Sequence, residues 1–124
     1  MTFQWQEYLD LAIELAGAGD EARARTAVSR AYYSAFCSAR NWLSENERSF
    51  RMPEPGGTHK FVWDSFDEGH ETDKKWIAKE GRKLRASRNS ADYDDQLSGI
   101  ASTAQLSIDR ARKILERLRK LRPT

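Results

Sequence analysis

The chain has 124 residues, of which 39% are apolar and 32% charged, with a formal net charge of +2. That length supports one hydrophobic core over residues 1–124 and is too short for two; seven Gly and three Pro do not describe a disordered or collagen-like chain. The single Cys37 excludes an internal disulfide and suits a reducing compartment.

Taken in chain order, the hydrophobic pattern repeats at helical spacing and nowhere alternates as a strand would. A first helix is predicted from about Phe3 to Ala16, with Trp5, Leu9, Ala12, Ile13 and Ala16 facing inward. Gly17-Ala-Gly19 ends it. Asp20 is placed to cap a second helix that runs to about Asn46, because its carboxylate can accept from an orphan amide of the first turn. The apolar arc of that helix includes Ala24, Val28, Ala31, Tyr32, Phe36, Trp42 and Leu43. It covers nearly half the circumference, too much for one neighbour, so the second helix is expected at the centre.

Arg48 to Gly57, with Pro53-Glu-Pro-Gly-Gly57, reads as a loop. Thr58 is expected to cap a short helix carrying Phe61, Val62, Trp63 and Phe66. After Gly69 a further helix is expected from about Thr72 to Arg88, with Trp76, Ile77, Leu84 and Ala86 inward. The last helix carries a narrow seam of Leu97, Ile100, Ala101, Ala104, Ile108, Ala111, Leu115 and Leu118. The expected fold is all-α: an up-and-down four-helix bundle with a broken third helix. No apolar run approaches the ~20 residues needed to cross a bilayer. The N-terminus has no basic stretch followed by an apolar one, so no membrane association and a cytoplasmic location are expected.

Three features carry chemistry. The outer face of the second helix presents Thr26, Arg30, Tyr33 and Cys37, which reads either as a mixed half-exposed face or as a cleft or self-association face rich in residues favoured at interfaces. Basic residues cluster: seven Lys or Arg against Glu80 alone between Lys74 and Arg88, and seven against Glu116 alone between Arg110 and Arg122. Part of this complements helix dipoles, yet two such helices side by side would offer phosphates a positive surface. Lastly, Arg88-Asn-Ser-Ala-Asp-Tyr-Asp-Asp95 puts a guanidinium, an amide, carboxylates and a phenol at a helix-to-helix corner. Arg85, Arg88 and Asp92 would share a face there, and a simple Arg88–Asp92 pair is worth only ~0.3–0.5 kcal/mol.

His59 and His70 are the only histidines and have no Cys or second His at ligand spacing, so no metal site is expected. No Gly-rich phosphate loop and no cofactor motif is present. His59, in the first turn of the short helix, is the one imidazole able to reach a cleft and act as a general base. Trp42, Trp63 and Trp76 sit at core positions.

Ser29-Arg-Ala-Tyr-Tyr-Ser-Ala-Phe36 followed by Ala39 resembles the second-helix signature of HEPN domains. Thr58-His-Lys with Phe66 resembles the start of the next segment of that family. Leu84-Arg and then Arg88-Asn-Ser-Ala-Asp-Tyr-Asp-Asp95 resemble the third-helix end of an uncharacterised HEPN branch with an Asp-Tyr-Asp ending. The likeness spans roughly Gln6 to Leu118. It implies a four-helix bundle that forms a homodimer, related to HEPN toxins paired with a nucleotidyltransferase antitoxin. Active HEPN ribonucleases carry an Arg and, four to six residues later, a His; two copies meet across the dimer and cut RNA without metal. Arg88 and Asn89 match the start of that motif, and Tyr93 stands where the His would be.

A free phenol is a poor base at neutral pH, so the ribonuclease motif is incomplete. Two functions are therefore expected. The first is a dimeric module of a toxin–antitoxin or defence system that binds a nucleotide, RNA or a partner through Arg30, Tyr33, Arg85, Arg88, Asn89, Asp92 and Tyr93. The alternative is a metal-independent endoribonuclease toxin, with Arg88 stabilising the phosphorane charge and His59 or Tyr93 moving protons.

Overall fold

A computed structural model describes residues 2–47, 50–52 and 58–122. Most of the predicted loop, Arg48, Ser49 and residues 53–57, lies outside the described residues. The protein is all-α: among the described residues there are five helices and no strand. They are α1 (Gln6–Ala16), α2 (Glu21–Asn46), α3 (Thr58–Asp67), α4 (Thr72–Tyr93) and α5 (Ile100–Lys120). Among the described residues no helix is long and apolar enough to cross a membrane.

The centre of the fold is α2, which touches each of the other four helices. Its start is set locally: Asp20 is extended (φ −103°, ψ 161°) and its Oδ1 accepts from the Arg23 amide at 2.8 Å. That satisfies one of the amides a helix N-terminus leaves unpaired. Small residues then let neighbours come close, since Ala27, Ala31, Ala35 and Ala39 are fully buried. Between them Val28, Tyr32, Phe36 and Leu43 supply the bulk of the core, which also takes Trp63 and Phe66 of α3, Ile77 and Leu84 of α4, and Ile108 and Ile114 of α5.

As the sequence predicts, α3 and α4 are separate helices, with residues 68–71 between them. Gly69 stands there at φ +84°, a backbone conformation that costs a side chain dearly and glycine nothing. The two helices pack closely through one residue: Gly81 of α4 lies against the Trp63 indole, and a Cβ there would fall 2.3–2.6 Å from three ring carbons.

Several expectations need correction. Ile13 is 45% exposed, because α1 meets only α2 and α5 and turns its Leu9–Ala12 line toward them. Ala86 and Ala101 are exposed, and Leu97 precedes α5. Cys37 is buried at 5% exposure, so it belongs to the core and not to an open face. Burial pushes its thiol pKa up, which leaves it an inert small hydrophobe.

The most consequential difference concerns α4, which does not stop near Arg88 but continues to Tyr93. Asn, Ser and Asp are poor helix formers, so propensity alone would end it sooner. Two contacts carry it on. Ala91 packs inward at 3% exposure, and the Arg25 guanidinium of α2 reaches across to the carbonyl ends of the helix. Its Nη1 donates to the Ala91 carbonyl at 3.0 Å and to the Asp94 carbonyl at 2.7 Å. Orphan carbonyls at a helix C-terminus and a fixed cation suit each other both as hydrogen bonds and as charges.

Candidate anion-binding site

Because α4 runs on, Arg85, Arg88, Asn89 and Asp92 are successive residues of one helical face and not parts of a corner. Arg88 Nε donates to Asp92 Oδ2 at 2.9 Å and its Nη1 to Asn89 Oδ1 at 2.9 Å. The guanidinium carbon lies 5.2 Å from the Tyr33 ring centre and 5.8 Å from that of Tyr93. Arg30 approaches the same Tyr33 ring at 5.2 Å, so the two guanidiniums are no further than twice that distance apart. Arg30 also stacks over Tyr8 of α1 at 4.6 Å. The ring of Tyr33 is therefore shared by cations from two helices, an arrangement in which the ring faces offset part of the mutual repulsion.

His59 enters from α3. Its ring stacks on Phe36 with centres 4.2 Å apart and meets Tyr33 edge-on at 5.8 Å. Its Nδ1 is 2.7 Å from Tyr32 Oη, and Trp63 Nε1 donates to that same phenol oxygen at 3.1 Å. Burial lowers the His59 pKa below 6.5, and the nearby charges of Arg85 and Arg88 lower it further. Burial raises the Tyr32 pKa strongly, against smaller opposing effects that include the same two arginines. Among the described residues no carboxylate bonds to the His59 ring, which faces two cations, and with its pKa lowered it is an uncharged imidazole at neutral pH.

The charge balance of the surface is more selective than the basic runs implied. Along α4 and α5 most cations are paired: Lys74 with Glu47 and Glu71, Lys75 with Asp67, Arg82 with Asp64 and Asp67, Lys83 and Arg110 with Glu80, and Arg117 with Asp73. Much of the positive charge of the two helices is therefore offset locally. Arg30 and Arg85, by contrast, make no ion pair among the described residues, and Arg88 has Asp92 alone. Lys79, Arg119 and Lys120 likewise make no ion pair among the described residues, but Arg30 and Arg88 differ in lying over the rings of Tyr8, Tyr33 and Tyr93.

Arg85 and Asn89 also line a cleft of about 320 Å³ between α3 and α4, floored by Trp63 and flanked by Lys60 and Arg82. Tyr93 is 74% exposed and is stacked by the Arg88 guanidinium. Thr26, one turn before Arg30 on α2, is exposed, and its hydroxyl donates to the Ala22 carbonyl. His70 lies in the turn between α3 and α4, beside a separate hollow lined by Glu47, Glu71 and Lys74. Among the described residues no three His, Cys, Asp or Glu side chains are placed to hold a metal ion.

No protein-family model, no curated protein and no solved structure matches the chain. Its chemistry must be read from its own residues. Two of those that matter here had no signal in the sequence: Tyr32 and Trp63 read there as core aromatics, and only the fold joins their polar atoms to His59.

Proposed function

We propose that this chain is a HEPN-like domain that binds the phosphate of a nucleotide or RNA at Arg30, Arg85 and Arg88, with His59, Asn89 and Tyr93 at the rim. The observation that carries this reading is the set of three guanidiniums around Tyr33 and His59, with Asp92 the one carboxylate paired to them among the described residues. A guanidinium offers a planar fork of donors matched to phosphate oxygens, and rings beside it suit an unstacked base. In this reading α1, α2, α4 and α5 are the four members of an up-and-down bundle, and α3 is the detached first part of its broken third. The half-exposed Arg30–Tyr33 strip of α2 meets a second copy in a homodimer. The setting is a cytoplasmic toxin–antitoxin or defence pair with a nucleotidyltransferase partner.

The test is binding of a short oligouridylate, followed by fluorescence anisotropy. Arg88→Ala is expected to weaken it by roughly tenfold or more, since a charged hydrogen bond is worth ~1.5–3 kcal/mol. The melting temperature should move little, because a partly exposed i, i+4 pair contributes under ~1 kcal/mol. Unchanged affinity would refute the site; lost folding would make Arg88 structural. Light scattering that returns 14.3 kDa at tens of micromolar protein would refute the dimer. The metal-independent endoribonuclease draws on His59 lying beside the same arginines. RNA cleavage that survives chelator and disappears in Arg88→Ala would establish it in place of the binding module.

A further inference from the structure

Tyr32 is fully buried and carries one phenolic proton. The Trp63 indole nitrogen can only donate, so at 3.1 Å it occupies a lone pair of the phenol oxygen. The phenol proton must then find an acceptor within the core, and the geometry offers one: His59 Nδ1 at 2.7 Å. If Nδ1 accepts, the proton of the neutral imidazole sits on Nε2. Among the described residues Nε2 makes no hydrogen bond, yet it is not one of the buried polar atoms left without a partner, so solvent reaches it.

We infer that Tyr32 is a positioning residue: pinned by Trp63, it donates to His59 Nδ1 and thereby holds His59 as the Nε2–H tautomer, a neutral donor aimed at a phosphate oxygen bound by Arg85 and Arg88. This rests on the anion-binding reading above and adds to it the state of the imidazole. It also changes the role expected of His59. A ring whose Nδ1 is occupied and whose Nε2 bears the proton has no free lone pair with which to take a proton from a nucleophile. His59 therefore binds and orients. The relay spans three helices: Tyr32 from α2 and His59 with Trp63 from α3, whose indole seats on Gly81 of α4. A third positive charge beside Arg85 and Arg88 would cost repulsion in the empty site; a neutral donor adds a hydrogen bond without it.

Nitrogen-15 NMR of the imidazoles tests this directly at neutral pH, with His59→Gln assigning the two histidines. The wild-type ring should show Nδ1 unprotonated and Nε2 protonated, and the Nε2 resonance should shift when oligouridylate or uridine monophosphate is added. Tyr32→Phe should give a mixture of tautomers and weaken both ligands by roughly threefold to tenfold, the loss of one well-aligned neutral hydrogen bond. A preference for oligouridylate would identify a phosphodiester chain as the ligand, and a preference for the mononucleotide a terminal phosphate. An Nδ1–H tautomer in the wild-type protein overturns the inference without any variant having to fold. So does a Tyr32→Phe protein that changes neither tautomer nor affinity. Arg88→Ala that leaves affinity intact overturns instead the anion-binding reading, and absence of binding by both ligands overturns the two together.

Discussion

Replacing Gly81 by Ala tests how closely α3 and α4 are fitted. In an open helix this change stabilises by ~1 kcal/mol, because Ala is the better helix former. Here the added Cβ would stand 2.3 Å from Trp63 Cε3, 2.4 Å from Cζ3 and 2.6 Å from Cδ2. Carbon atoms settle at ~3.5–4.0 Å, so one helix or the ring must move by about 1 Å. Trp63 is fully buried and tied through its indole nitrogen to Tyr32, which leaves it little room. Overpacking of this kind costs ~1–3 kcal/mol, and a backbone-anchored carbon against a rigid ring belongs at the upper end. After the propensity gain, a net loss of about 2 kcal/mol remains, or roughly 8 °C in Tm for a domain of this size. Urea unfolding followed by tryptophan fluorescence would measure it. Trp63→Phe in the same chain should recover part of the loss, an interaction read from the double-mutant cycle. A Gly81→Ala protein as stable as the wild type, or more so, would refute the close approach.

Two further outcomes follow from single contacts. Burial, with Arg85 and Arg88 adding to it, lowers the His59 pKa below its ordinary 6.5, so between the two values the unfolded chain binds more protons than the folded one. Stability is then full above about pH 6.5 and falls as pH drops through that window, by less than ~1.4 kcal/mol per pH unit since the ring is partly solvated. His59→Gln should flatten Tm over this range; Asp20, Asp64 and Asp67, whose pKa values lie below 3.8, titrate lower and leave the window clear. An equally steep profile in His59→Gln would refute the assignment. Arg25→Ala should destabilise by about 1 kcal/mol, the net worth of the hydrogen bonds it loses at a partly exposed site, and should speed amide exchange selectively at the end of α4. Uniform exchange along α4 would refute the role given to Arg25.

Much of the helical layout was legible because period and caps act locally. The range of α2, its Asp20 cap and its central place all follow from an apolar arc too wide for one partner, and the all-α class follows with them. What was illegible depends on residues far apart in sequence. Nothing near Arg88 announces that α4 continues to Tyr93, because the group that supports the last turn, Arg25, lies 66 residues before Ala91. Ile13 and Ala101 satisfied the periodic pattern but lie where no neighbouring helix covers them. The basic runs located the cations but not their pairing, since partners such as Glu47, Asp67 and Asp73 come from other segments. For the candidate site the sequence named Arg30, Tyr33, Arg85 and Arg88, while the hydrogen bonds around His59 required the packing of three helices.

The Arg25 clasp also orders events in time. A turn built from Asn89, Ser90 and Asp92 gains little from local propensity and lasts only while its carbonyls are held. That hold joins the first turns of α2 to the final turn of α4, so it closes a long loop and must await the docking of both helices. The rest of α4 can wind beforehand on its buried Ile77 and Leu84, but its terminal turn sets last. The same dependence runs backward in the finished protein: when α2 and α4 part at this end, the turn carrying Asn89 and Asp92 unwinds first, and Arg88 loses both of its hydrogen-bond partners together.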